Sequence, residues 1–191
     1  MRSIKAVYAS LIVVIFAAIL PAETLADEYQ DTINIFKKAG ASEAFFGNSH
    51  GYAVFPTIGK GGIGIGGAYG TGQVYARGKH VGNTKMTQVS FGLQLGGEAY
   101  SQIIFFQDKR AFDEFTSGNF EFGAQASAVV ITAGASAGAS TGGSSAGASG
   151  GKHDAKTVGK YQRGMAVFTV AKGGLMYEVS IAGQKFSYTP L

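Results

Sequence analysis

Cysteine is absent from the 191 residues. That one absence excludes a disulfide framework, a thiolate metal site, a cysteine nucleophile and a lipidated N-terminal cysteine. Proline is nearly absent too, at three residues, and no G-X-Y period accompanies the glycine, which excludes collagen. Charged residues are only 15%, with 16 basic against 12 acidic and a formal charge of +4. So little charge excludes an acidic disordered chain and a phosphate-tracking tail, so nucleic acid is not an expected partner. What is present in excess is glycine, 30 residues, about twice the usual share of ~7%. With 46% hydrophobic residues, the chain reads as one glycine-rich domain of extended strands.

The first 26 residues have the order of a secretory signal peptide. Arg2 and Lys5 supply a positive start, Ala6 to Leu20 carries no charge, Pro21 breaks the run, and Thr24-Leu25-Ala26 ends it with a small residue. The apolar run falls short of the ~20 residues a membrane-crossing helix needs. Cleavage after Ala26 is therefore expected, leaving one domain over 27–191 with 14 basic and 11 acidic residues. The expected location is outside the cytoplasm, in the periplasm or peripherally attached to the envelope.

Asp27 to Lys38 reads as a helix, with acids in its first turn, Lys37 and Lys38 in its last, and Tyr29, Ile33 and Phe36 on one stripe. A shorter helical turn spans Ser42 to Phe46. From Gly51 the period changes to two. Strands are expected at 52–55 (ended by Pro56), 61–68, 73–77, 88–95 and 101–106. In the fourth, Val89, Phe91, Leu93 and Leu95 form one face, expected to be buried. Glycine at alternate positions requires another backbone to approach closely or the strand to bend, which suggests a strongly curved sheet or closed barrel. Asp108 caps a short inserted helix to Thr116 with Ala111, Phe112 and Phe115 facing inward. Phe120, Phe122, Ala124 and Ala126 resume the alternation. Residues 133–151 contain only Ala, Gly, Ser and Thr, and read as a small-residue strand leading into a flexible loop. Strands close the chain at 165–171, 175–181 and 185–188. The fold class is thus mainly β (α+β): a glycine-rich antiparallel sheet, strongly curved or a barrel-like sandwich, with an N-terminal helix and one short inserted helix.

Two literal motifs lack the context their chemistry needs. Gly62 to Gly67 spells G-x-G-x-x-G, but no helix can follow through Ala68-Tyr69-Gly70-Thr71-Gly72 to present its amides to a phosphate. Gly47-Asn48-Ser49-His50-Gly51 spells G-x-S-x-G, but a helical turn precedes it and a strand follows, the reverse of a nucleophile elbow. Ser49 as a hydrolase nucleophile is a third-ranked reading, with His80 or His153 as its base. The three histidines have no metal-site spacing. Asp113 and Glu114 are helix neighbours that point apart, so they make no acid–base pair. No catalytic residue, cofactor or metal is expected, and the chain does not read as an enzyme.

Charge placement is more informative. Residues 152–191 carry a net +4, while 27–151 sum to −1. Lys37-Lys38, Arg77 with Lys79, Lys109-Arg110, and Lys160, Arg163 and Lys172 are the basic clusters, and Phe45 and Phe46 lie beside the first as apolar residues for insertion. A basic residue near an anionic bilayer gains ~1 kcal/mol, so four or five on one face give ~4–5 kcal/mol, about a millimolar association.

Gly51-Tyr52-Ala53-Val54-Phe55-Pro56, the glycine run Gly61 to Gly72, Gly92-Leu93-Gln94-Leu95-Gly96-Gly97, Phe112, Phe115 and Gly118, and Lys172-Gly173-Gly174-Leu175 together resemble the SYLF domain, also called the Ysc84 actin-binding domain family. The resemblance runs from about Ala41 to Tyr188, departing in the Ala/Gly/Ser/Thr run. It implies a lipid-binding module for anionic phospholipid, with phosphoinositides and actin as partners of eukaryotic members. In those members a basic amphipathic N-terminal helix is used, which here is the segment of Lys37 and Lys38. It also places Lys160, Arg163 and Lys172 in the family's basic stretch before its last strands. The resulting expectation is non-catalytic, peripheral binding of an anionic phospholipid surface, with actin a partner by family analogy alone. An integral outer-membrane β-barrel is the alternative, although Tyr52 to Phe55 is short for a spanning strand.

Overall fold

The computed structural model describes residues 22–131, 159–172 and 180–191. The expectations for residues 1–21, 133–151 and 173–179, for Lys152, His153 and Lys156, and for the side chains of Phe91, Leu93 and Leu95, lie outside the described residues.

Two helices open the fold, α1 (Ala22–Lys38) and α2 (Gly40–Asn48). Thr32, Ile33 and Phe36 are buried on one side of α1. Ser42 joins the two helices, donating its Oγ to the Phe36 carbonyl at 2.6 Å. Two strands of unusual length follow, β1 (Gly51–Ala76) and β2 (Lys79–Phe106), paired antiparallel along almost their whole length. Then come α3 (Lys109–Phe115), β3 (Phe120–Glu121), β4 (Val129–Ile131), β5 (Met165–Lys172) and β6 (Lys185–Pro190). The sheet order is β3-β6-β2-β5-β4, with β1 on β2. Among the described residues every pair is antiparallel except β4 with β5.

Three strands expected between residues 52 and 77 are thus one strand, as are the two expected between 88 and 106. Pro56 does not end β1: it lies at the register shift between Phe55 and Ile58, where no ladder amide is required. Its carbonyl accepts the buried Ser101 Oγ at 2.7 Å. The expectation for Val89 is overturned as well. It is 67% exposed, because its cross-strand partner is Gly67, which offers no side chain to pack on. Ala124 and Ala126 do not extend a strand, as residues 122–128 form a turn and extended coil. Asp108 caps α3 as expected, accepting the Ala111 amide at 2.9 Å.

A straight strand of 26 residues would run ~85 Å. Instead the hairpin bends through its glycine-rich middle and folds back on itself. Gly70 and Gly72, in the second half of β1, lie against Ile58 and Phe55 in the first. A Cβ at Gly72 would stand 2.6 Å from the Phe55 ring and 2.8 Å from the Val54 carbonyl. The Arg77 amide bonds the His50 carbonyl at 3.3 Å, joining the hairpin tip to the start of β1.

Alternation along the curled sheet then sorts the core into two clusters. Ala53, Phe55, Ile58, Tyr100, Ile104, Phe106, Val167 and Phe186 pack inside the curl, under α3. Val54, Ile103, Phe105, Ala166, Phe168 and Val170 face the other way and meet Ile33 and Phe36 of α1. An amide pair crosses the interior: Gln102 Nε2 donates to Gln184 Oε1 at 2.9 Å and Gln184 Nε2 returns a bond at 3.2 Å, also donating to Tyr100 Oη at 3.0 Å. All three residues are buried, so each polar group left unpaired costs ~1–3 kcal/mol. The network pins the turn before β6 onto β2.

Because Gly72 leaves no room for a methyl group against the Val54 carbonyl, Gly72→Ala is expected to destabilise the fold by ~1–3 kcal/mol. Urea unfolding should show the midpoint falling with the slope unchanged.

Candidate anionic-surface interface

The fold brings four chain reversals to one end of the sheet. The His50 amide bonds the Phe106 carbonyl at 2.8 Å, the Gln107 amide bonds the Gly164 carbonyl at 2.8 Å, and the Arg77 amide bonds the His50 carbonyl. The turns at 49–50, 77–78, 107–108 and 163–164 are therefore neighbours around one rim. Lys160 joins them: it lines a hollow of about 480 Å³ together with Asn48 and Gln107.

Six of the cations singled out from the sequence stand on this rim: Arg77, Lys79, Lys109, Arg110, Lys160 and Arg163, and all but Arg77 and Lys79 come from the β2 exit or the β5 approach. Each is exposed. Lys109 pairs with Asp113 at 2.6 Å and Arg110 with Glu114 at 3.2 Å. Exposed pairs of this kind are worth ~0.2–1 kcal/mol and can open to another anion at little cost. Among the described residues, Arg77, Lys79, Lys160 and Arg163 have no carboxylate within 4.0 Å. Arg77 and Arg163 are also the only non-glycine residues with positive φ among the described residues, at +50° and +53°, each followed by a glycine. That is a two-residue hairpin geometry in which Asn, Asp or Gly is the usual occupant of the first position.

The remaining candidates are placed differently. Lys37 and Lys38 are exposed at the end of α1, one short helix back from the rim, and Lys37 Nζ lies 5.6 Å from the Phe46 ring centre. Phe45 and Phe46 are half-buried rather than presented for insertion. Phe45 packs on Phe105, Tyr161 and Phe168, and Phe46 on Tyr52 and Phe105, with ring centres 4.9–5.5 Å apart. Their area is already spent holding α2 to the sheet. Lys172 lies at the far end of β5, where its Nζ meets Thr57 Oγ1 at 2.6 Å and Glu28 Oε1 at 3.3 Å. It ties α1 to the sheet and is not part of the rim.

Neither enzyme-like motif acquires a catalytic setting. Gly62 to Gly67 lies within β1. Ser49 follows the last turn of α2 and precedes β1, and the His80 ring bonds the Gly82 carbonyl at 3.0 Å. Among the described residues, no three His, Asp or Glu side chains gather as a metal site, and no helix is long and apolar enough to cross a membrane.

A family model described as Ysc84, Las17-binding protein actin regulator, matches residues 87–189, which span β2 from Thr87, α3 and every later strand. The chain belongs to the Ysc84 family. Four of the six rim cations, Lys109, Arg110, Lys160 and Arg163, fall within the matched stretch, and Arg77 and Lys79 lie ahead of it. A relative in Aeromonas veronii named beta cell expansion factor A is 28% identical over 156 residues, covering 81% of this chain and 51% of the relative. The chain thus spans about half the length of that curated relative.

Beneath the rim, Tyr52 and Tyr75 stack with ring centres 5.0 Å apart. Burial, helped by the neighbouring Tyr75 phenol, pushes the Tyr52 hydroxyl up to about 12. The neutral phenol is the folded form, so its contribution is complete below pH ~10 and disappears as pH rises through about 12. Alkaline unfolding followed by circular dichroism is expected to fall across that window. Tyr52→Phe should flatten the decline.

Proposed function

We propose that this Ysc84-family chain is a non-catalytic, peripheral binder of anionic phospholipid surfaces that docks through the rim and acts in the cell envelope after export. The observation that carries the reading is the convergence of six cations from three separate chain segments, the β1–β2 turn, the β2 exit and the β5 approach, on one end of the sheet. Four of them are unpaired among the described residues, and at ~1 kcal/mol each they supply ~4 kcal/mol, a weak association strengthened wherever Lys109 and Arg110 exchange their carboxylates for lipid phosphates. Packing supports a surface role over a strand-built barrel: α1 and α2 cover the apolar outer face that such a barrel would turn to lipid. The family description carries actin to this chain as a partner by analogy, and actin co-sedimentation with the same variants separates the two partners.

Co-sedimentation with phosphatidylglycerol vesicles is expected to exceed that with phosphatidylcholine vesicles at low salt and to fall as salt rises. The pair Lys79→Gln with Lys160→Gln should weaken it by about thirtyfold, given ~1 kcal/mol for each charge. Lys85→Gln, an exposed β2 residue ~20 Å along the strand from Lys79, should leave it unchanged. Equal binding to neutral and anionic vesicles would remove the reading.

A further inference from the structure

A cavity of about 500 Å³ opens beside Arg163, between β3, the segment 122–127 and the start of β5. Its inner wall is apolar: Phe122, Met165, Val167 and Ile181 are buried, and Phe120 and Ala126 are half-buried. Its mouth is polar and charged. Gln162 Nε2 donates to Ser127 Oγ there at 2.9 Å, and Glu114, Glu121 and Arg163 complete the opening.

The charges at this mouth do not cancel. Glu114 is neutralised by Arg110 at 3.2 Å and Glu121 by Lys185 at 3.6 Å. Arg163, with no carboxylate within 4.0 Å among the described residues, is left as the net charge. Its backbone is held at φ +53° in a turn closed by two bonds between Gln162 and Met165, at 2.8 and 3.0 Å. Arginine stands there although asparagine, aspartate or glycine is the usual occupant of that turn position.

An apolar pocket with one unpaired cation at its opening matches a ligand with an alkyl chain and a single anionic head. A small polar anion would leave the inner wall unmatched, and a neutral lipid would leave Arg163 without a partner. The volume lies within the ~300–1,000 Å³ of small-molecule sites. The geometry points to a binding site for a single-chain anionic amphiphile, its alkyl chain in the cavity and its head on Arg163. The site rests on the surface-binding reading only for the choice of an amphiphile. The chain can come from a free fatty acid or from a lipid of the bilayer.

Titration calorimetry with monomeric octanoate, decanoate and laurate tests this, alongside phosphatidylglycerol vesicle sedimentation. Saturable binding is expected, tightening about fourfold per methylene. Dodecyl maltoside, with a tail one methylene longer and a neutral head, should still bind at least tenfold more weakly than laurate. Arg163→Asn keeps the turn, since asparagine suits positive φ, and should abolish that preference while thermal stability holds or rises. Ala126→Phe fills the cavity and should weaken laurate at least tenfold. If it leaves vesicle sedimentation intact, the ligand is a free fatty acid. If it lowers both, the chain is supplied by the bilayer. Absence of saturable laurate binding, or laurate binding unchanged in both variants, overturns the site. Wild-type protein that binds laurate but ignores anionic vesicles would instead overturn the surface reading and leave this site standing.

Discussion

The structure depends on a close approach of backbone to backbone inside one hairpin. β1 and β2 are each far longer than the body they build, so they must bend, and the bent halves must then lie together. Where Gly70 and Gly72 meet Val54 to Ile58 there is no room for side chains. Packing at this density tolerates no extra methylene without strain. Because the fold-back sets Arg77 against His50, it also decides which turns become neighbours. The rim is a by-product of that contact.

Electrostatics then acts on what the fold-back has assembled. Cations spread over 87 residues of sequence, from Arg77 to Arg163, end up on one surface. Local pairing divides them into two kinds. Lys109 and Arg110 are matched by acids one helical turn away on α3, an arrangement that keeps them soluble without burying their charge. Arg77 and Arg163 are carried on tight turns that a smaller residue would form more easily. Both side chains are long, always charged and exposed.

Aromatic residues have the opposite assignment. Phe45, Phe46, Phe105, Phe168, Tyr52 and Tyr161 form a continuous layer between α2 and the sheet. Their work is to hold a short helix with no side-chain cap at its start. Ring pairs contribute ~0.5–1.5 kcal/mol each beyond the area they bury. The rim is thus charged outside and aromatic beneath.

Local signals were legible wherever the cause lay within a few residues. α1 followed from its apolar stripe, α3 from the Asp108 cap, β5 and β6 from their alternation, and the family from motifs kept in order. The length of β1 was not legible, because Pro56 reads as a stop unless a bulge absorbs it, and the bulge exists only once Ser101 is across from it. Nor did the amide pair of Gln102 and Gln184 announce itself, since either glutamine alone reads as a surface residue. Sequence by itself determined that this chain is a glycine-rich, mainly β domain with scattered basic clusters, because periodicity and backbone freedom are local properties. Which cations share a face was decided only by tertiary structure: Lys172 was drawn to Glu28 at the far end, while Arg77 was bonded to His50, whose own amide reaches Phe106 at the β2 exit. That choice is made by glycines letting a strand fold onto itself, a contact between residues some 20 positions apart that no local pattern encodes.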